Sequence, residues 1–205
     1  LVQISCTLPT TKVTGGTYQL ILRNTSASNA VVDVWSIDDQ NGKEIVFTGS
    51  SKQDSMKIGS PGCALGAITC AAFTTKKQWR DIDGITRIVG LGLNDISEFS
   101  SEGPLRNNTQ KPDVAAPGAM IVSALSRDSS PKRSNMFDSL HLVEAGTSMA
   151  TPFTTGTVAL LLQRNPQLDP AAVKNLLRTA AKIPNKPAGT FHPKWGFGLL
   201  DAQRL

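Results

Sequence analysis

The 205-residue sequence predicts an α/β chain: a β-rich stretch over residues 1–57, then a mostly parallel sheet with helices over residues 58–205. Three observations predict it. Residues 15–58 are rich in Val, Ile, Phe, Trp and Tyr between turn-forming breaks. "AITCAAF" (67–73) is short, apolar and free of charge, as a strand buried on both faces must be. From Ser148 onward the apolar spacing turns helical.

The elements follow in order. "TYQLILRN" (17–24), "AVVDVWSI" (30–37) and "EIVFTG" (44–49) read as antiparallel strands, with Asp33 and Trp35 in a half-buried alternation. "NTSASN" and "DDQNGK" supply the turns between them. Pro61 and Gly62 turn the chain ahead of the 67–73 strand. "ITRIVGLGL" (85–93) holds another strand, and 97–110 is loop by composition. "KPDVAAPG" (111–118) reads as a turn, followed by a strand at Met120–Leu125 and a polar loop at 126–140. Ser148–Gln163 is a helix apolar on nearly all faces, which implies burial. Pro152 is tolerable only near its start, and Gly156 implies close packing against a neighbour. Asp169-Pro170 opens a second helix as N-cap and first-turn proline. Val173, Leu176, Leu177, Ala180 and Ala181 form its apolar stripe, and Lys174, Asn175, Arg178 and Lys182 face water.

Composition narrows the function. The formal charge is +5, but the basic residues are scattered in pairs such as Lys76-Lys77 rather than in a stripe, which argues against nucleic acid as a partner. No run of 18 apolar residues is present, which argues against a membrane-spanning helix. The three cysteines, Cys6, Cys63 and Cys70, lack a CxxC spacing. Cys63 and Cys70 read as small buried hydrophobes; one disulfide plus a free thiol is the alternative. "LVQISC" begins without an initiator Met, so the chain reads as a processed or truncated piece.

The chemistry concentrates in "AGTSMATP" (145–152). A serine hydroxyl is a weak nucleophile until a base activates it. A helix start helps, because its N–H groups lack partners and the dipole favours negative charge. The Ser148 N–H is then one candidate donor to a tetrahedral oxyanion, with the Thr147 hydroxyl in support. Read alone, Gly-Thr-Ser before a helix is more simply capping chemistry, since Ser and Thr are good N-caps.

Longer motifs bear on that choice. "GTSMATPFTTGTVALLLQRNP" (146–166) resembles the nucleophile motif of the subtilisin-like serine proteases, the subtilases. "GSPGCALGAITCAA" (59–72), "ISEFSSEGPLRNNTQKPDVAAPGAMIVSA" (96–124) and "KWGFGLLDA" (194–202) resemble three further family segments, in family order. The resemblance covers about residues 58–205. It implies the C-terminal portion of a three-layer subtilisin-like catalytic domain, with residues 1–57 as a β-rich insertion or N-terminal segment. It also implies that Ser148 is the nucleophile of a Ser-His-Asp triad hydrolysing peptide bonds through an acyl-enzyme.

The rest of the triad is not legible here. Subtilases place Asp, then His, before Ser. Neither an Asp-Ser/Thr-Gly nor a His-Gly-Thr-His motif occurs, nor does the Ala-x-Gly-Asn of the oxyanion Asn. His141 and His192 match no family histidine, and Asp113 lies in a family motif as a structural residue. At Phe153-Thr154-Thr155, where many members carry His-Val-Ala, a volume adjustment in the core is expected. The expectations follow. The intact protein is a secreted or extracytoplasmic serine endopeptidase acting on protein or peptide substrates. Its Asp, His and oxyanion Asn lie on an N-terminal half that partners this chain. These residues alone are nearly inactive and prone to self-association. Calcium is implied only by resemblance, and no site for it is legible. The alternative is a non-catalytic protease-like scaffold or partner-binding module.

Overall fold

The computed structural model describes residues 17, 19–35, 47–50 and 52–205. The chain divides into two compact units, Leu1–Val46 and Phe47–Leu205.

In the first unit, residues 19–35 form no strand. Asn24 shapes a local turn there, its Oδ1 accepting from the Ser26 N–H at 2.9 Å and from the Ser26 hydroxyl at 2.7 Å. Ile21, Val31 and Trp35 are exposed. The strands expected at 17–24 and 30–37 are therefore not formed among the described residues, and neither is one at 47–50. Residues 36–46, the rest of that β pattern, lie outside the described residues. Strand propensity is weak and context-dependent, since it reflects packing on a pleated, half-buried surface, and the exposed apolar side chains of 19–35 do not lie on one.

In the second unit the strands are β1 (Cys70–Phe73), β2 (Gln78–Arg80), β3 (Thr86–Ile88), β4 (Val114–Pro117), β5 (Ile121–Ala124) and β6 (His141–Glu144). The helices α1 (Thr147–Arg164) and α2 (Pro170–Ala180) follow. β1 pairs in parallel with β4, from Cys70 opposite Val114 to Phe73 opposite Pro117. β2–β3 and β5–β6 are antiparallel. The parallel pair is the one expected from "AITCAAF"; the other two ladders depart from a mostly parallel sheet. β4 occupies part of the segment read as a turn. Its Val-Ala-Ala run is fully buried, and Pro117 sits at its end, where a missing N–H costs least.

Alternation along the parallel pair builds two cores. Cys70, Val114 and Ala116 face Ala150 and Leu161 of α1 and Val173 and Leu177 of α2. Ala71, Phe73 and Ala115 face the other way, onto Ile96, Ile183 and Trp195. Helices cover one face and irregular chain covers the other, with Trp195 tilted against Phe73 at 5.5 Å between ring centroids. Each large apolar side chain so buried contributes roughly 1.5–3 kcal/mol. Leu199 and its neighbours run along the free edge of β4: Ala115 N–H donates to the Gly198 carbonyl at 2.8 Å and Leu200 N–H to the Ala115 carbonyl at 2.9 Å.

α2 begins as expected, with the Asp169 carboxylate accepting from the Ala172 N–H at 2.7 Å and Pro170 in the first turn. Val173, Leu177 and Ala180 are buried, but Leu176 is exposed. Lys174 and Arg178 do not face water. Both turn inward onto Asp113, whose carboxylate is fully buried. Asp113 Oδ1 accepts from Arg178 Nε at 3.0 Å, and Oδ2 accepts from Lys111 Nζ and the Thr69 N–H, each at 2.8 Å. Lys111 is itself fully buried and also donates to the Ala67 carbonyl. This cluster ties the start of β1, the start of β4 and α2 together. Burial lowers the pKa of Lys174, against the pull of the Asp113 charge.

Candidate functional site

The β5–β6 hairpin delivers the chain to Gly146, the N-cap of α1. Gly146 N–H donates to the Gly118 carbonyl at 2.8 Å, which fastens this approach to the end of β4. The Gly146 carbonyl then accepts from Met149 N–H at 3.0 Å and Ala150 N–H at 3.4 Å, starting the helix. Thr147 and Ser148 are the first two helical residues.

A capping side chain would take one of the early N–H groups, but Gly146 has none, and no side-chain cap forms. Among the described residues, neither the Ser148 hydroxyl nor its N–H has a hydrogen-bond partner, and Ser148 is exposed. The Thr147 hydroxyl is also unpartnered, while its carbonyl accepts from the Thr151 hydroxyl at 2.9 Å. A Cβ on Gly146 would stand 3.6 Å from Ser148 N, beside that free donor. Glycine therefore keeps the approach to the Ser148 N–H open. Pro152 has no N–H to offer the Ser148 carbonyl, so this acceptor falls outside the helical ladder. A free donor pointing at a helix mouth suits a developing oxyanion. An unpaired hydroxyl beside it suits a nucleophile awaiting a base.

The residues around this serine correct several expectations. α1 is not buried on nearly all faces: only Ala150, Thr154 and Leu161 are buried. Phe153 is 50% exposed and Leu160 63%, and a Cβ on Gly156 would meet nothing within 4 Å. Gly156 thus serves no close packing within this unit, and Phe153 is no core residue of it. At 100° per residue, Ser148 projects from the uncovered side, together with Pro152, Thr155, Gly156 and Ala159. No charged residue occurs from Thr147 to Gln163. An exposed helix side without a charge is the composition of a contact surface.

His141 is exposed on β6, with Nδ1 2.9 Å from the Asp138 carboxylate. That carboxylate is held below its usual pKa, first by the Leu140 N–H and then by His141. His192 is exposed, and its Nδ1 accepts from the Lys194 N–H at 3.2 Å. Neither ring hydrogen-bonds Ser148. Cys63 is exposed, against expectation, because the 58–66 turn lifts it off the core; Cys70 is buried, and both are free thiols. Cys6 lies outside the described residues. Burial pushes the Cys70 thiol above its usual pKa, and its Sγ lies 3.2 Å from the Thr154 hydroxyl. A cavity of about 140 Å³ opens beside them, lined by Ile68, Thr151, Thr155 and Val158. Among the described residues no three His, Cys, Asp or Glu side chains converge as a metal-ligand set. Among them, too, no helix is long and apolar enough to cross a membrane.

Comparison with known proteins decides the family. A profile described as "Subtilase family" matches residues 4–198, nearly the whole chain. The chain belongs to the subtilase family. Serine protease AprX of Bacillus subtilis (strain 168) is 37% identical over 136 residues, covering 65% of this chain and 28% of that protein. Subtilisin-like protease SBT1.3 of Arabidopsis thaliana is 32% identical over 152 residues, covering 70% of this chain and 19% of that protein. Among solved structures, the Clostridium perfringens CspB protease superposes with a TM-score of 0.51 at 26% identity, over 73% of this chain and 28% of that one. The chain thus spans less than a third of the length of these relatives.

Two features of this subtilase segment escaped sequence reasoning. The role of Gly118 as acceptor for the Gly146 N–H is a long-range pairing that no local pattern encodes. The inward turn of Lys174 and Arg178 had one available signal: their i, i+4 spacing places both on one side of α2.

Proposed function

We propose that Ser148 is the nucleophile of a serine endopeptidase that cleaves protein or peptide substrates through an acyl-enzyme. The observation that carries this reading is the exposed, unpartnered Ser148 hydroxyl beside its own free N–H at a glycine-capped helix start. Family membership supports the reaction class.

The chemistry proceeds in two halves. A histidine base takes the Ser148 Oγ proton as Oγ bonds to the scissile carbonyl carbon. The carbonyl electrons move to oxygen, and the Ser148 N–H, supported by the Thr147 hydroxyl, donates to that oxyanion. Collapse breaks the C–N bond, and the histidine returns its proton to the departing amine. Water then attacks the ester by the same route and frees Ser148. The base, its orienting Asp and the oxyanion Asn come from outside these 205 residues, on the N-terminal half of the same protease. The charge-free side of α1 that carries Ser148 supports this, since a partner covering it would meet the serine at its end. Residues 1–205 alone are accordingly nearly inactive, because loss of the base costs on the order of 10⁶ in turnover in subtilisin. The intact enzyme works outside the cytoplasm; that placement rests on family likeness.

The charge-free α1 side equally fits a non-catalytic binding module. A fluorophosphonate probe separates the readings. In the full-length protease, Ser148 is phosphonylated and Ser148→Ala abolishes both labelling and peptide hydrolysis. In residues 1–205 alone, labelling is negligible and returns when the N-terminal half is added. Hydrolysis that persists in Ser148→Ala overturns the nucleophile assignment. Full-length protein that neither labels nor hydrolyses points to the binding module.

A further inference from the structure

We propose that Gly118 is a positioning residue that sets the height of Ser148 above the end of the parallel pair; this rests on Ser148 being the nucleophile. Gly118 follows β4 directly, and its N–H donates to the Phe73 carbonyl at 3.0 Å. Its carbonyl accepts the Gly146 N–H, two residues before Ser148. It is therefore the joint between the two central strands and the nucleophile loop.

The joint has no room for a side chain. A Cβ on Gly118 would stand 2.6 Å from Ala72 Cβ and 2.9 Å from the Gly146 carbonyl oxygen. The first contact lies on the strand, the second on the nucleophile loop. Ala72 cannot retreat, because its N–H donates to the buried Ser100 hydroxyl at 3.1 Å and its carbonyl accepts from the Ser97 N–H at 2.8 Å. Ser97 is in turn bonded to the Thr74 hydroxyl at 2.7 Å in a fully buried pair. Gly146 itself is held by the Gly118 carbonyl and the first turn of α1, and the β6 ladder leading to it ends at Glu144, opposite Ile121. Two residues beyond Gly118, Met120 holds φ at +53° while 7% exposed, a left-handed conformation uncommon for a non-glycine residue. Such conformations persist where surroundings over-determine them. The turn from β4 to β5 is thus a stiff seat, and any atom added at Gly118 moves the looser partner, which is the Gly146–Ser148 loop.

The closest strand contact can be removed by mutation. Gly118→Ala alone meets Ala72 Cβ, Ala72 Cα at 3.0 Å and the Gly146 carbonyl oxygen. Adding Ala72→Gly removes the 2.6 Å contact with Cβ and leaves the 2.9 Å contact on the loop and the 3.0 Å approach to Cα. In the full-length protease, Gly118→Ala lowers the melting temperature, kcat and the rate of Ser148 phosphonylation by a fluorophosphonate. The Ala72→Gly/Gly118→Ala pair recovers most of the melting temperature that Gly118→Ala loses. Its kcat and phosphonylation rate remain depressed by about tenfold to a hundredfold, with KM within about threefold, as displacing a reacting atom by about 1 Å produces. Stability rescued without rate rescue marks positioning. A double variant with kcat and phosphonylation within about threefold of Ala72→Gly overturns the proposal, even where Gly118→Ala itself does not fold. Failure of the nucleophile reading is seen separately, as hydrolysis surviving in Ser148→Ala.

Discussion

At the scale of single residues, the two described thiols make opposite predictions. Cys63 is exposed, whereas Cys70 is buried and its thiol pushed above the usual range. The thiolate is the reactive form, so access and ionisation both protect Cys70. Iodoacetamide at neutral pH is expected to alkylate Cys63 rapidly and Cys70 only after unfolding; peptide mapping by mass spectrometry reads the outcome. Equal labelling of both in folded protein would contradict the buried position of Cys70. The sequence placed both cysteines in apolar surroundings and could not separate them. The difference arises because "GSPGC" is a turn whose direction is set by contacts far along the chain, such as the Lys57 N–H on the Glu102 carbonyl. The helix start at Thr147–Ser148 was legible for the opposite reason, since its signals lie within consecutive positions; the reading of Ser148 as a nucleophile rested on the longer motifs around it.

At the scale of elements, α1 was readable as a helix but not in its burial. Its apolar residues surround the axis, and a sequence cannot say which side a partner covers. Replacing Leu160 with Gln or Lys on the uncovered side is expected to change the stability of residues 1–205 by less than about 0.5 kcal/mol, as at ordinary surface positions. The same change is expected to weaken association with the N-terminal half, measured by sedimentation or by recovery of labelling at Ser148. Loss of folding in the short chain would place Leu160 inside a core instead.

The β2–β3 hairpin offers a pH test. Its turn centres on Asp81, whose Oδ1 accepts from the Asp83 and Ile85 N–H groups and whose Oδ2 accepts from Arg87 at 2.7 Å. Burial opposes ionisation of Asp81, but Ile85, Arg87 and Asp83 outweigh it and hold the pKa below its usual value. Such a depressed acid contributes stability in full above its unfolded pKa of about 3.9, and the contribution is lost as pH falls through the folded value. The protection of the Asp83 and Ile85 amides, taken relative to the intrinsic exchange rate at each pH, is expected to fall only below about pH 4. A fall in protection between pH 5 and 7 would count against the assignment. Asp81→Asn is expected to remove this acid-range dependence. Neither the turn at 81–84 nor its Arg87 partner across the hairpin was legible in the sequence, where this polar stretch shows no clear period.

At the scale of the whole molecule, the Asp113 cluster is the largest concentration of buried charge among the described residues. One fully buried carboxylate faces Lys111, Lys174 and Arg178. Removing one member of a buried ionic set leaves the others uncompensated, at a cost of about 3–5 kcal/mol. Asp113→Ala is therefore expected to destabilise the full-length protease by that amount in chemical denaturation, more than Asp83→Ala, whose partner Arg133 lies at the surface. Comparable losses for the two would show that Asp113 is not the hub. "KPDVAAPG" was legible as a motif, and Asp113 as structural within it. What a linear reading missed is that the motif is a strand, because β4 acquires that character from β1 on one edge and Leu199 on the other.

That second edge bears on how the chain comes off the ribosome. Gly198–Leu200, which seal β4, are translated after both helices. During synthesis the nucleophile helix therefore emerges onto a frame still open along one side. Until those residues pair, Ala115 lacks both the Gly198 and the Leu200 hydrogen bond on that edge, so the β4 seat under the nucleophile loop is closed by chain that comes after the loop itself.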